Sequence, residues 1–203
     1  MIEVAVTELG RHELTFAAGV LGRGMRDNPI HIAAFGDDPL RRMRALERIF
    51  GSLLPLMKQP PLSARRGEHI VGVTGMSPPG TCQPPPFDQL RLLPAILRIG
   101  PGALPRVLRW LRAWADRDLK DRHWHLGPLA VEGGLQGMGI GSQIMQRFCA
   151  RMDEDGEVAY LETDKPENVF FYQKFGFQTI EEADVLGTPN WFMRREHGEA
   201  KDG

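Results

Sequence analysis

Runs in which apolar and polar side chains alternate recur along the chain and predict a β-sheet. Residues 2–9 show this alternation at the N-terminus, as expected of a strand with one buried face. Residues 68–76 are rich in β-branched side chains and read as a strand that follows Gly67. The predicted strands lie at residues 2–9, 61–66, 68–76, 122–131, 157–163, 177–182 and 190–195.

Apolar residues at helical spacing predict helices between these strands. Leu14, Leu21 and Met25 fall on one face of such a helix. A second helix starts with Asp38 as a candidate N-cap and Pro39 in its first turn, both of which suit a helix start. The predicted helices lie at residues 11–26, 38–57, 88–99, 103–119, 141–153 and 168–175.

Two segments are predicted to be connections without regular structure. Residues 28–37 carry turn-forming pairs at both ends, Asn28-Pro29 and Gly36-Asp37. Residues 77–87 hold five prolines among eleven residues, and proline disrupts both helices and central strands.

The Pro-rich segment opens a longer stretch that does not fit the alternation of the rest. We interpret about 77–121, Pro-rich and then helical, as an insertion in a single domain spanning residues 1–203. Between residues 91 and 122, eight Lys or Arg stand against three Asp, a net charge of +5. This is either a solvated helix face or a basic flap beside a site for phosphates or an acidic acceptor.

Composition narrows the class of protein. Apolar residues make up 42% of the 203, enough for one core, and the formal net charge of −1 argues against a nucleic-acid partner. Two cysteines form neither a disulfide framework nor a metal-binding spacing, so reduced thiols and no metal are expected. No signal peptide and no membrane-length apolar run is found, which predicts a cytoplasmic protein without a membrane partner.

The most informative segment is a glycine-rich turn between the strand at 122–131 and the following helix. It reads Gln136-Gly137-Met138-Gly139-Ile140-Gly141-Ser142. The first N–H groups of a helix have no partners inside the helix, and the helix dipole adds partial positive charge there. Glycines let the backbone approach a ligand closely. The segment therefore predicts a phosphate-binding loop.

Two common phosphate loops fit this segment poorly. A Walker loop requires Gly-Lys-Ser/Thr, and no lysine is present. A dinucleotide fingerprint requires a third glycine where this chain has Ser142, and no repeated strand–helix–strand units surround it.

The spacing Gln136-x-x-Gly139-x-Gly141 resembles the coenzyme A pyrophosphate loop of the GNAT acetyltransferases. Downstream, Asn168, Tyr172 and Gly176-Phe177 resemble the segment that follows the fifth strand of that fold. The preceding Leu129-Ala130-Val131 resembles the fourth strand of that fold, and together these features cover residues 122–177. The pairs His123-Trp124 and Asn190-Trp191 resemble sequence motifs of the GNAT branch that includes puromycin N-acetyltransferase.

The resemblance implies an α/β fold with a mixed, mostly antiparallel sheet and helices on both faces. It also implies a coenzyme A cleft between the fourth and fifth strands. Pro128 agrees with this expectation, because proline cannot donate to a strand ladder and suits a bulge or a place where strands part.

The resemblance further implies acetyl-CoA as co-substrate. Backbone groups of Leu129 and Val131 would pair with the pantetheine arm, and the Leu129 N–H would face the thioester oxygen. The cofactor-binding residues implied in this way are Leu129, Ala130, Val131, Gln136, Gly137, Met138, Gly139, Ile140, Gly141, Ser142, Asn168 and Tyr172.

Acetyl transfer to an amine also needs an acid and a base. The resemblance makes Tyr172 the general acid, since a phenol is protonated at neutral pH and can donate to a thiolate. For the base, the candidates in order are Glu162, His125 and His123, with Glu132 as a fourth. A water relay could replace a direct base.

The expected function is acetylation of a primary amine on a small molecule. A protein N-terminus or a lysine side chain is the alternative acceptor. Two rivals of other classes are a non-catalytic coenzyme A sensor and a nucleotide-binding switch. The oligomeric state is left open, with a homodimer as one of the states allowed.

Overall fold

The computed structural model describes residues 2–82 and 86–198 and contains a seven-stranded sheet. The strand order is β1-β2-β3-β4-β5-β7-β6, and all neighbours are antiparallel except β4 and β5, which are parallel. The strands are β1 (Ala5–Glu8), β2 (Leu62–Arg66), β3 (His69–Ser77), β4 (His123–Val131), β5 (Val158–Thr163), β6 (Gln178–Val185) and β7 (Thr188–Arg195). Each lies close to a predicted strand, and the α/β class with a mostly antiparallel sheet is confirmed.

Seven α-helices are present in the described residues. They are α1 (Leu14–Met25), α2 (Pro29–Phe35), α3 (Pro39–Leu53), α4 (Pro86–Leu97), α5 (Leu104–Ala115), α6 (Ile140–Asp155) and α7 (Pro166–Gln173). Asp38 caps α3 as predicted, since its side chain accepts hydrogen bonds from the N–H groups of Leu40 and Arg41 at 2.9 and 3.1 Å. None of these helices is long and apolar enough to span a membrane.

The prediction that residues 28–37 form an irregular connection is wrong, because they contain helix α2. Asn28 is the extended N-cap residue, Pro29 occupies the first turn, and Gly36 ends the helix at a φ of 90°. The turn signals at the two ends are therefore the start and stop of a short helix. Ile30, Ala34 and Phe35 of this helix are buried in the core.

The predicted Pro-rich connection is shorter than expected. Strand β3 reaches Ser77 and α4 begins at Pro86, so both ends of 77–87 belong to regular elements. Residues 83–85 lie outside the described part of the chain.

Helices pack on both faces of the sheet. Ala159 and Leu161 of β5 contact the cluster that contains Phe148 of α6 and Val169 of α7. Tyr160 points to the opposite face, as strand alternation requires, and its hydroxyl donates to the carbonyl of Arg117, just after α5, at 3.0 Å.

The α4–α5 segment is attached to the sheet mainly through α5. Val107 and Trp110 of α5 join the core cluster that α1, α2 and α3 form. The indole nitrogen of Trp114 donates to the side-chain oxygen of the fully buried Asn190 on β7 at 3.0 Å. Two arginines of this segment form ion pairs on the outer face. Arg112 of α5 lies near Asp116, and Arg117, just beyond the helix, pairs with Glu181 at 2.7 Å. Much of the positive charge therefore belongs to ion pairs at a solvated face.

Candidate functional site

Strands β4 and β5 part in the middle of the sheet and open a cleft. Their parallel pairing ends at His125 and Tyr160. On its other edge, β4 carries a bulge against β3, where three residue steps in β4 oppose two in β3 around Gly127-Pro128. Pro128 thus lies at a bulge where the strands diverge, as predicted.

Beyond the bulge, the β5-facing edge of β4 has no strand partner. Leu129, Ala130 and Val131 pair with β3 on one side, whereas β5 pairs with β4 only as far as His125 within the described residues. Backbone groups on the open edge can therefore bind an extended ligand in the manner of an added strand.

The glycine loop closes one end of this cleft. Gly137 and Gly139 have φ values of 75° and 84°, which side chains with a Cβ rarely adopt, and Gly139 is the N-cap of α6. Ile140 is buried and anchors the helix in the core, while Met138 is 41% exposed. The backbone of the loop and of the first turn, with Gly141 and Ser142, thus provides N–H groups without helix partners.

Gln136 connects the loop to the strand. Its side-chain amide donates to the carbonyl of Val131 at 3.0 Å and lies 3.5 Å from that of Gly24 on α1. This side chain therefore stabilises the shape of the loop.

Helix α7 forms the opposite wall of the cleft and lies close to the start of α6. A Cβ placed on Gly141 would lie 3.4 Å from the Phe171 ring, so the first turn of α6 packs directly against α7. Asn168 and Tyr172 lie four residues apart on α7, and the Asn168 amide donates to the Thr163 hydroxyl at the end of β5 at 3.1 Å.

The Tyr172 ring is buried against Phe171 and Phe177. Among the described residues its hydroxyl makes no hydrogen bond, so it is free to act on a ligand. Burial raises the pKa of Tyr172 well above its usual value, and the nearby Asp164 carboxylate adds to that rise. The phenol is therefore protonated at neutral pH.

His125 and Glu162 form a pair where the strands part. The His125 Nε2 lies 2.8 Å from the Glu162 carboxylate, whose side chain is 4% exposed. Burial opposes the charged imidazole, but the Glu162 carboxylate raises the pKa of His125 well above its usual value. The two leading candidate bases are thus a single hydrogen-bonded unit.

His123 belongs to a second group on the same face of β4. Its Nε2 lies 3.0 Å from an Asp118 carboxylate oxygen and 3.3 Å from the Cys82 sulfur, and its Nδ1 lies 2.7 Å from the Asp121 carbonyl. Burial lowers the pKa of His123, but Asp118, Cys82 and the Asp121 carbonyl raise it to about 10. Burial also disfavours the Cys82 thiolate, yet His123 and His125 lower the thiol pKa on balance.

The sequence did not point to Cys82 or Asp118 as partners of the histidines. They lie 41 and 5 residues from His123, outside any recognised spacing. Glu132, the fourth candidate base, instead binds Arg23 of α1, whose Nε donates to its two oxygens at 3.1 and 3.2 Å.

A parted sheet beside a glycine loop at a helix N-terminus is the architecture of the GNAT acetyltransferase fold. The model of the acetyltransferase (GNAT) family matches residues 37–177. The chain belongs to this family.

Solved structures with the same fold cover nearly the whole chain. A histone acetyltransferase HPA2-related acetyltransferase from Corynebacterium glutamicum has a TM-score of 0.72 at 20% identity, covering 98% of this chain and 99% of its own. The Drosophila melanogaster polyamine N-acetyltransferase has a TM-score of 0.62 at 14% identity, covering 96% and 100%. A Brucella melitensis GNAT acetyltransferase in complex with acetyl-CoA has a TM-score of 0.55 at 14% identity, covering 97% and 89%.

Proposed function

We propose that this protein transfers the acetyl group of acetyl-CoA to a primary amine on a small molecule. The observation that carries this proposal is the convergence of three features on one cleft. These are the unpaired edge of β4 beyond His125, the glycine loop at the start of α6, and the α7 face with Asn168 and Tyr172.

We expect acetyl-CoA to lie along the length of this cleft. The pyrophosphate binds the N–H groups of residues 137–142, where the dipole of the 16-residue α6 adds positive charge. The pantetheine arm lies along Leu129–Val131 as an added strand, and the Leu129 N–H stabilises the oxyanion. Asn168 contacts the arm from α7.

The reaction uses one base and one acid. Glu162 takes a proton from the ammonium form of the acceptor, and the neutral amine then attacks the thioester carbon, which forms the C–N bond and a tetrahedral oxyanion. The oxyanion collapses and breaks the C–S bond, Tyr172 donates its proton to the departing thiolate, and the second excess proton of the nitrogen is lost to solvent, from which Tyr172 regains its own. His125 donates from Nε2 to Glu162 and holds the carboxylate in position; His125 is itself the second candidate for the base.

The acceptor class rests on the resemblance of the fold to amine acetyltransferases. A solved agmatine N-acetyltransferase has a TM-score of 0.62 at 15% identity, and the polyamine enzyme above has the same score. The sequence resemblance to the puromycin N-acetyltransferase branch does not by itself fix the acceptor, because fold and cofactor do not determine the substrate. We infer a small-molecule amine, acetylated in the cytoplasm. Protein N-termini or lysines remain the alternative acceptors, and a coenzyme A sensor without turnover is the alternative of another class.

A pair of glycine variants tests the cofactor site. Gly137→Val puts a side chain on the loop, whereas Gly156→Val introduces the same change at the other end of α6. Both glycines have positive φ, 75° and 64°, and open space around the added Cβ, so the local strain is comparable. We expect Gly137→Val to weaken acetyl-CoA binding about tenfold or more by calorimetry, about 1.4 kcal/mol, and Gly156→Val to leave it nearly unchanged.

Equal affinities in the two folded variants would place the pyrophosphate elsewhere. Release of free thiol from acetyl-CoA across an amine panel tests the reaction itself. Cofactor binding with no turnover on any small amine, N-terminal peptide or lysine peptide would favour the sensor.

A further inference from the structure

Four side chains with metal-binding chemistry converge beside the cleft. Each of Cys82, Asp118, His123 and His125 offers one ligand atom, and these four atoms all lie within 4.8 Å of one another. His123 is 4% exposed, and the other three are partly buried. The group is therefore enclosed on the face of β4 that lies under the end of α5.

The His123 ring is oriented for coordination through Nε2. Its Nδ1 lies 2.7 Å from the Asp121 carbonyl, which can only accept, so Nδ1 carries the proton. In the neutral ring that a metal ion would bind, the Nε2 lone pair faces the Cys82 sulfur at 3.3 Å and the Asp118 oxygen at 3.0 Å. A backbone carbonyl often fixes the tautomer of a metal-bound histidine in this way, by accepting from the ring nitrogen that does not bind the metal.

The His125 ring is oriented for coordination through its other nitrogen, Nδ1. Its Nε2 lies 2.8 Å from Glu162, and its Nδ1 lies 3.9 Å from the same Asp118 oxygen. A carboxylate on the outer nitrogen holds the proton there and leaves Nδ1 as the ligand atom. Both histidines therefore present a lone pair to one common space.

The distances suit a tetrahedral ion. Zinc bonds of about 2.0–2.3 Å place neighbouring ligand atoms ~3.3–3.7 Å apart. Of the separations in the structure, 3.3 Å falls at the edge of this range, 3.0 Å lies just below it and 3.9 Å lies just above it. One thiolate and one carboxylate also balance the charge of a divalent cation.

The same geometry argues against a nucleophilic cysteine. In a catalytic triad the carboxylate binds the histidine nitrogen opposite the nucleophile. Here Cys82 and Asp118 both approach Nε2 of His123, and a carbonyl occupies Nδ1. Convergence on one nitrogen is the arrangement that an ion between the groups would need.

We propose that Cys82, Asp118, His123 and His125 bind a divalent transition-metal ion of the zinc type. One sulfur, two imidazoles and one carboxylate are ligands that zinc accepts, and four protein ligands leave no open position, as in structural sites. Cys82 precedes α4 and Asp118 follows α5, whereas both histidines belong to β4. The ion would thus fasten both ends of the α4–α5 segment to the central sheet.

The test uses Co²⁺ as a spectroscopic probe on the chelator-treated full-length protein. We expect about one Co²⁺ per chain, with the intense visible bands of tetrahedral cobalt and a near-ultraviolet thiolate charge-transfer band. Cys82→Ser should abolish the charge-transfer band, and Asp118→Asn should keep it while weakening Co²⁺ binding at least tenfold. Cys149→Ala is the matched control, because the other cysteine lies in the core away from these ligands, and it should behave like the wild type.

Stability gives a second readout that does not depend on acetyl transfer. Zn²⁺ at a hundredfold excess over its Kd should raise the Tm of the wild type and of Cys149→Ala by about 5 °C. A wild-type protein that forms no tetrahedral Co²⁺ spectrum would overturn the proposal, whether or not the variants fold. So would a charge-transfer band that survives in Cys82→Ser or is lost in Cys149→Ala.

Discussion

The two halves of strand β4 offer contrasting chemistry. From Leu129 to Val131 the strand presents backbone along an unpaired edge, beside a loop whose glycines also present backbone. From His123 to His125 it presents side chains, held by carboxylates and a carbonyl from other elements. The backbone edge at Leu129–Val131 suits a cofactor that many enzymes share. The side chains at His123–His125 suit functions particular to this chain.

This difference affects how a substitution should act. A backbone site is sensitive to whatever changes the loop or strand path, whereas a side-chain site is sensitive to the identity of single groups. Substitutions of single side chains around the cleft test that division.

Glu162→Gln should have the largest effect on turnover. An amide cannot accept the amine proton, so kcat should fall about 10³-fold, within the range typical of general-base catalysis. Acetyl-CoA affinity should stay close to wild type, because in our proposal the cofactor lies along Leu129–Val131 of β4 and does not depend on the Glu162 carboxylate. Steady-state kinetics and calorimetry on the same preparation measure both quantities.

The matched control is Glu157→Gln, just before β5, where the carboxylate forms an ion pair with Arg122 at 3.0 Å. It should retain wild-type kcat. If Glu162→Gln also keeps it, His125 or a water relay must be the base.

Tyr172→Phe should reduce kcat about 10²-fold. The ring and its packing survive while the proton donor is lost, and a thiolate is a fairly good leaving group, so the low end of the general-acid range applies. Acetyl-CoA affinity should hardly change, and a more activated thioester should narrow the loss.

The other tyrosine of the chain is the control. Tyr160→Phe removes a hydrogen bond to the Arg117 carbonyl on the far side of β5 and should lower stability with little change in kcat. Wild-type kcat in Tyr172→Phe, with chemistry shown to limit the rate, would make Tyr172 a packing residue.

Trp114→Phe should have a smaller effect that separates the two halves of the site. The change breaks the bond to the buried Asn190 oxygen and should cost about 1–3 kcal/mol of stability while loosening α5. We propose that the segment at about 77–121 lies over the acceptor side of the cleft, so the KM for the amine should rise a fewfold while the Kd for acetyl-CoA is unchanged.

Trp110→Phe makes the same change one turn earlier on α5. The Trp110 indole nitrogen has no hydrogen-bond partner among the described residues, so no bond is lost. The KM of Trp110→Phe for the amine acceptor should therefore stay near the wild-type value. A rise in the Kd for acetyl-CoA, rather than in acceptor KM, for Trp114→Phe would show that the insertion serves the cofactor side.

The sequence predicted most of the fold because its signals are local. Alternation and β-branched composition located every strand of the described residues, and Asp38 marked the start of α3 by its own side chain. Asn28-Pro29 shows the limit of such signals. The same pair that suits a turn also suits a helix start, and the choice depends on apolar contacts that Ile30 and Phe35 make with distant residues.

In the candidate site, the parts that rest on backbone conformation could be predicted from the sequence. Gly137 and Gly139 permit a positive φ at their own positions, and Pro128 fixes φ and removes a hydrogen-bond donor at its own. The glycine loop and the bulge could therefore be recognised without the fold. The tertiary structure alone decided that His125 meets Glu162, and that Cys82 and Asp118 meet His123. Those contacts join residues up to 41 positions apart, and side-chain geometry between such residues is set by how strands and helices pack.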